Sequence, residues 1–330
     1  MPSEHGLLVL SAADVRDLLD IDLAIESQRQ AFRELGLGRA LLPPRLLVDG
    51  SKDSVSFCYA ARLAPDSGAV CKFGSVNPAN ADRGLPTISA LITVLDADDG
   101  RPVAIVDGTS VTTIRTSAAS AVAVSALANR DSGRMAVLGY GVQAEAHVRA
   151  ISRVLALTSV RVWGPDPAKC EALARRLDEE FDFAVTAAAT AEEAIRDADV
   201  VVGCTTSADP VLESAWLGPG ATVISIGSFT PNRCEVPQDL LTRAGVVVVD
   251  DLDTAVEHAG PIVEGLRSGL IARDGLVSLG EVVAGLKPGR TSASEIVYYN
   301  SVGIGVQDAS AAAAVVEAAR ANGRGQTVNL

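Results

Sequence analysis

Val137-Leu138-Gly139-Tyr140-Gly141-Val142-Gln143-Ala144 joins a short apolar run of strand type, residues 134–138, to a helical pattern that continues to about residue 155. A glycine turn between a strand and a helix leaves the first helical amides unpaired and lets backbone come close to a phosphate, where a side chain would collide. Gly139 suits the tight turn, Gly141 the close approach, and Ala144 in the third place still permits close helix–strand packing. Val142 and Gln143 open the helix whose free amides would face the ligand. Such a turn is a weak signal alone and gains weight from its setting.

Downstream, strand-like and helix-like segments alternate: a strand at 160–163, a helix at 168–181, a strand near 183–185, a helix opened by Thr190 with Glu193 at capping-box spacing, and strands at 200–203, 222–226 and 246–249. This alternation implies right-handed crossovers and a doubly wound, Rossmann-type parallel sheet of the α/β class, with the glycine turn at a dinucleotide. The ribose is usually read directly after the second strand, where an acid accepts from the 2′-hydroxyl and repels a 2′-phosphate. Gly164 stands there instead; Asp166 follows two residues later, where it also suits a helix cap, and Lys169 is a phosphate-partner candidate. This pattern favours NADP, with NAD as the alternative. Thr205 and Ser207 follow the strand at 200–203 and Ser228 follows the strand at 222–226, so their hydroxyls either face the cofactor or tie the loops.

Upstream the pattern is different. Ser11 and Asp14 stand at capping-box spacing before an apolar face including Val15, Leu18, Leu19 and Ile25, which predicts one helix to about residue 35. After the break at Leu42-Pro43-Pro44-Arg45, residues 45–106 alternate short Val-, Ile-, Leu- and Phe-rich runs with turn signals, the pattern of an antiparallel sheet. A helix at 109–128 follows, and a final Ala- and Val-rich helix at 303–321 has no strand to pair with, so it is expected to pack back on the first domain. The expected organisation is a discontinuous α+β domain, residues 1–125 with 304–330, around a dinucleotide domain at 126–303.

With 330 residues and 48% hydrophobic content, the chain is long enough for two cores. A net charge of −13 argues against nucleic acid and anionic membrane surfaces as partners. The apolar runs fall well short of the ~20 residues that span a bilayer. Residues 1–6, with Glu4, lack a basic region leading into an apolar run, so no secretory signal is expected. Five cysteines, without zinc spacing, suggest reduced thiols, no metal, and a cytoplasmic setting. His5, His147 and His258 form no triad or metal-spaced cluster and are expected to be structural or surface residues.

An acidic chain must meet any anion with locally placed cations. Arg45 follows a Pro-Pro turn, Lys72 lies among apolar residues of a strand, and Arg115 sits in an otherwise uncharged helix. Together they suggest a carboxylate clamp, since guanidinium binds carboxylate as a fork and lysine adds a mobile charge; singly, each also suits a surface cation or ion pair.

Lys72-Phe73-Gly74-Ser75-Val76-Asn77-Pro78-Ala79-Asn80, Gly84-Leu85-Pro86-Thr87, Asp107-Gly108, Thr113-Ile114-Arg115-Thr116, the Gly139 turn and Ser301-Val302-Gly303 resemble, in this order and over nearly the whole chain, the ornithine cyclodeaminase/mu-crystallin family. The resemblance implies a discontinuous substrate-binding domain that forms a homodimer, and a Rossmann domain for a nicotinamide cofactor. It also implies that Arg45, Lys72 and Arg115 bind a substrate carboxylate and that Thr87, Thr116 and Val302 lie near the nicotinamide. Cyclodeaminases of this family carry an aspartate for the substrate amines where this chain has Phe229, within Ser228-Phe229-Thr230-Pro231, and a glutamate that aligns near Phe57 is also absent. The Ser-Phe-Thr-Pro form resembles members that reduce cyclic imines. The expectation is an oxidoreductase that reduces a pyrroline-2-carboxylate or piperideine-2-carboxylate type ketimine, with Lys72 or a bound water as proton donor and Phe229 against the substrate ring. An alanine-type amino-acid dehydrogenase, an ornithine or lysine cyclodeaminase, and a non-catalytic crystallin-like NADP-binding protein are the alternatives.

Overall fold

The computed structural model describes residues 6–51 and 54–329; Glu4 and His5, discussed above, fall outside them. The chain divides into two compact units, one ending at Arg115 and resuming at Ile304, the other Thr116–Gly303.

The first unit contains strands β1 (Leu7–Leu10), β2 (Leu46–Asp49), β3 (Val55–Ala61), β4 (Val70–Val76), β5 (Ile88–Leu95) and β6 (Pro102–Asp107), and helices α1 (Ala12–Leu18) and α2 (Ile21–Gly36). Helix α3 (Gly108–Leu127) runs across the division at Arg115. After the second unit the chain adds α11 (Gly305–Asn322) and β15 (Gln326–Val328). The single helix expected from Ser11 is two helices. The Ser11–Asp14 capping box starts the first, and the Asp20 side chain accepts from Leu23 N at 2.8 Å to start another.

Seven strands form the sheet in the order β15-β1-β6-β5-β4-β3-β2. From β2 to β6 it is the expected antiparallel meander, but β1 pairs parallel to β6 and β15 antiparallel to β1, so the sheet is mixed. Helix α11 packs along α2 and across β3, β4 and β5. Its small residues allow that approach: a Cβ on Gly305 would lie 3.1 Å from Ala61 Cβ, and Ala309, Ala311, Ala312 and Ala319 are buried. The other sheet face carries a row in register, Leu46, Cys58, Phe73 and Leu91, of which Leu46, Phe73 and Leu91 are 66%, 63% and 57% exposed.

The second unit contains β7 (Arg134–Leu138), α4 (Val142–Ile151), β8 (Ser159–Trp163), α5 (Pro167–Glu180), β9 (Ala184–Ala187), α6 (Ala191–Ile195), β10 (Val200–Gly203), β11 (Thr222–Ser225), α7 (Asp239–Arg243), β12 (Val246–Val249), α8 (Leu252–His258), α9 (Gly260–Arg267), β13 (Leu276–Ser278), α10 (Leu279–Val283) and β14 (Val297–Asn300). All eight strands are parallel, in the order β13-β12-β14-β11-β10-β7-β8-β9. This is the doubly wound Rossmann-type sheet. Its strand order reverses between β7 and β10, the place where open α/β sheets bind ligands. Strands β13 and β14 were not expected; β14 slots between β11 and β12, and Tyr298 and Tyr299 are wholly buried. Among the described residues no helix is long and apolar enough to cross a membrane.

The tight seat of α11 makes a volume prediction. Ala312→Leu, at a fully buried position, should lower unfolding free energy in urea by about 1–3 kcal/mol through overpacking.

Candidate active site

In the first unit the three cations singled out above lie around one ring and one carboxylate. Lys72 projects from the buried face of β4, its Nζ 2.7 Å from Asp308 Oδ2 and 3.4 Å from Thr112 Oγ1. Arg115, on α3, places Nε 3.3 Å from Asp308 Oδ1 and donates from Nη1 to Gln307 Oε1 at 3.0 Å. Asp308 and Gln307 come from the first turns of α11, where the Gln307 amide oxygen also accepts from Ile304 N at 3.0 Å. Tyr59, directly opposite Lys72 across the β3–β4 pair, has Lys72 Nζ 4.9 Å and Arg45 Cζ 5.8 Å from its ring centroid. Phe57 stacks on Tyr59 with centroids 4.9 Å apart.

Three cations against the one carboxylate of Asp308 leave a positive surplus, which suits an incoming anion. Arg45 is half-buried, and its Nε is a buried donor without a partner. Burial lowers the Lys72 pKa to about 8, Asp308 pulling it back up and Arg115 and Arg45 pushing it down further. A lysine tuned to this range exchanges protons near neutrality. Asp308 was not recognised from sequence, although it is a lone acid early in an Ala-rich helix. An acid there reads equally well as a helix-dipole residue.

In the second unit the glycine turn forms as expected. Gly139 has φ +123°, and a Cβ there would lie 2.7 Å from the Cys204 carbonyl on the neighbouring β10 loop. Gly141 caps α4, and a Cβ on it would meet nothing within 4 Å. No protein neighbour therefore requires glycine at Gly141, whereas a phosphate against the α4 amides would, and the turn fits a dinucleotide on that ground. Ala144 is fully buried, Val142 exposed and Gln143 half-buried with an unpartnered amide oxygen. His147 anchors the helix: Nδ1 must carry the proton toward the Gln143 carbonyl at 2.7 Å, so Nε2 accepts from Ser120 Oγ at 2.9 Å. Burial lowers its pKa to about 4, so it stays neutral.

At the end of β8 the reason for Gly164 is local. A Cβ there would lie 2.6 Å from the Tyr140 ring. Asp166 is the cap of α5, accepting from Ala168 N at 3.1 Å and Lys169 N at 3.3 Å. Lys169 Nζ lies 3.4 Å from Asp166 Oδ2 and 5.4 Å from the Tyr140 ring centroid, which holds an otherwise exposed ammonium beside this strand end.

The candidate hydroxyls tie loops. Thr205 Oγ1 accepts from Ser207 N at 3.2 Å, Ser207 Oγ donates to the Asp209 carbonyl at 2.6 Å, and buried Ser228 Oγ accepts from Glu235 N at 2.9 Å. Asp250, at the end of β12, is fully buried and accepts from Val302 N at 2.8 Å and Gly303 N at 2.7 Å, with Ser301 Oγ at 3.2 Å. Val302 is thus held by its backbone. Neither Glu235 nor Asp250 stood out in the sequence, where acids after strands also suit helix caps. Phe229 packs partly against the second unit's core and carries the Arg233 guanidinium 4.6 Å from its centroid.

Thr87 is exposed just before β5, its carbonyl accepting from Asn77 N at 2.7 Å, and Thr116 is half-buried beside Arg115 on α3. The structure thus brings Arg45, Lys72 and Arg115 together in the first unit, while Phe229 and the glycine turn belong to the second. Of the cysteines only Cys170 is buried; Cys58 and Cys71, not expected to pair, place their sulfurs 3.4 Å apart across β3 and β4. His258 ends α8 near Glu257. No group of metal-ligating side chains occurs among the described residues.

The chain is 31% identical over 326 residues to a Delta(1)-pyrroline-2-carboxylate reductase of Bacillus cereus, covering 98% of this chain and 100% of the relative. The structure of Thermococcus litoralis Delta(1)-pyrroline-2-carboxylate reductase in complex with NADH and L-proline superposes with a TM-score of 0.93 at 30% identity, covering 98% of this chain and 100% of that one. An archaeal alanine dehydrogenase dimer with bound NAD matches at a TM-score of 0.93 and 32% identity, covering 98% and 99%. A family model spans residues 6–323, and the chain belongs to the ornithine cyclodeaminase/mu-crystallin family.

Proposed function

We propose that this protein is an NAD(P)H-dependent oxidoreductase that reduces the C=N bond of a cyclic imino acid, of the pyrroline-2-carboxylate or piperideine-2-carboxylate type, to the cyclic amino acid. The observation that carries this reading is the gathering of three cations, Lys72 and Arg115 on the Asp308 carboxylate and Arg45 with Lys72 beside the Tyr59 ring, in a chain aligned end to end with a pyrroline-2-carboxylate reductase. The nicotinamide cofactor supplies the hydride for the imine carbon. Arg45 and Arg115 hold the substrate carboxylate, and Lys72 in its ammonium form gives a proton to the imine nitrogen. Asp308 keeps Lys72 and Arg115 oriented and limits the cost of burying both charges. Thr87, Thr116 and Val302 border the nicotinamide in this reading, Thr205, Ser207 and Ser228 line the adjoining loops, and Gly139, Gly141, Val142 and Gln143 face the pyrophosphate.

Phe229 packs on the apolar ring of the substrate. The guanidinium of Arg233 beside Phe229 repels a distal ammonium, which disfavours a diamino-acid substrate and hence a cyclodeaminase. An alanine-type dehydrogenase is the second reading, favoured by the similarity to the archaeal alanine dehydrogenase. The preferred cofactor is NADPH, because Gly164 offers no acid against a 2′-phosphate and Lys169 is held close by. The working form is a homodimer, with the exposed row Leu46, Phe73 and Leu91 buried against a second copy. The cytoplasm, with its reduced thiols, is the proposed compartment.

Purified protein given pyrroline-2-carboxylate should oxidise NADPH, with a lower KM than for NADH, and Arg115→Ala should lower kcat/KM on the order of 100-fold. Ammonia-dependent turnover of a 2-oxo acid with an inert cyclic imine would support the alanine-type reading instead. Because Lys72 must be protonated to donate, kcat/KM for reduction should fall above pH of about 8, and Lys72→Met should remove that limb together with most of the rate. Sedimentation of Phe73→Asp should show monomer where the unaltered chain shows dimer; an unchanged dimer would place the interface elsewhere.

A further inference from the structure

Glu235 is fully buried at the carboxyl ends of β10 and β11 and has no ion-pair partner among the described residues. Its Oε1 accepts from Thr205 N at 2.6 Å, and its Oε2 accepts from Gly227 N at 2.7 Å and Ser225 Oγ at 2.7 Å. Both carboxylate oxygens therefore face an obligate backbone donor, so the ionised form satisfies every contact. The Glu235 amide donates to Ser228 Oγ at 2.9 Å, and Ser228 Oγ lies 3.0 Å from Ser225 Oγ. Two glycines make room: a Cβ on Gly203 would lie 2.9 Å from the Glu235 carboxyl carbon, and one on Gly227 would lie 2.6 Å from it. The loop after β10 carries Thr205 and Ser207, and the loop after β11 carries Ser228 and Phe229. One carboxylate joins both.

We propose that Glu235 is the positioning residue of the dinucleotide site, an anionic staple that sets the distance between these two loops and so the seat offered to the cofactor. The inference rests on the dinucleotide reading given above. Burial raises the Glu235 pKa while the Ser225 hydroxyl, the Thr205 and Gly227 amides and the Thr205 side chain lower it, so the staple is held by hydrogen-bond geometry against a desolvation penalty. A glutamine fills the same space, but whichever way it turns, its amide group meets either the Thr205 or the Gly227 N–H. One loop is then released while the core is left intact.

The test compares the unaltered chain with Glu235→Gln by hydrogen–deuterium exchange without cofactor, by NADPH calorimetry and by steady-state kinetics. In the unaltered chain the Thr205 and Gly227 amides should exchange slowly. In Glu235→Gln at least one should exchange about tenfold faster, with β10 and β11 protection unchanged. The NADPH dissociation constant and KM should rise about tenfold, and kcat at saturating NADPH should stay within about twofold. Glu235→Asp keeps the charge with a shorter reach and should lose less; it is the variant to measure if the glutamine form does not fold. Unchanged amide exchange or unchanged NADPH affinity in the folded variant overturns the proposal. An unaltered chain that protects both amides yet binds neither NADPH nor NADH overturns the dinucleotide reading, and with it the role given to the staple.

Discussion

The Asp308 carboxylate holds Lys72 Nζ on one oxygen and Arg115 Nε on the other, and all three side chains are buried in the first unit. Removing one partner of such a group leaves an uncompensated charge out of water, a change typically worth ~3–5 kcal/mol. Asp308 lies at the start of α11, nearly two hundred residues after Arg115, so the pairing requires the chain to leave the first unit, complete the second, and come back. The discontinuous architecture and the buried cation cluster are two aspects of one constraint. Gly305 and the alanines that follow it let the returning helix lie close enough to the sheet for Asp308 to reach Lys72.

Carboxylates do different work in the second unit. Glu235 and Asp250 are buried without cations among their direct contacts and accept mainly from backbone amides of the loops that end β10, β11 and β14. Such loops cannot pair their N–H groups in the sheet ladder, and a buried amide without an acceptor is costly. An ionised oxygen serves several donors at once, so each loop is held by few residues. The reversal of strand order between β7 and β10 opens the edge where these loops gather, and the steric demand at Gly139 arises there because the Cys204 carbonyl, just after β10, is its neighbour.

Much of this was legible in the residues. The glycine turn, the βα alternation after it and the antiparallel run before it follow from local periodicity, because each element's pattern lies within its own segment. Arg45, Lys72 and Arg115 stood out because charge among apolar or rigid surroundings is unusual in a chain of this composition. The short strands were not legible. β1 and β15 have 4 and 3 residues and pair with each other across the length of the chain, while β14 reaches its place between β11 and β12 only after a long excursion. The break at Asp20 was likewise hidden, since the apolar spacing continues through it.

Sequence alone determined the class of the fold, the position of the glycine turn and the three cations that the first unit gathers, since these depend on local backbone demands and on residue types scarce in their surroundings. Tertiary structure decided the anionic half: Asp308 between two cations, Glu235 joining two loops, Asp250 holding Val302 and Gly303. It also gave Gly164 its reason, the ring of Tyr140, where the sequence offered only a missing acid. In an acidic chain one more Asp or Glu carries little information, because a cap, a dipole partner and a buried staple have the same letter. They differ only in which distant donors the fold brings within hydrogen-bond reach.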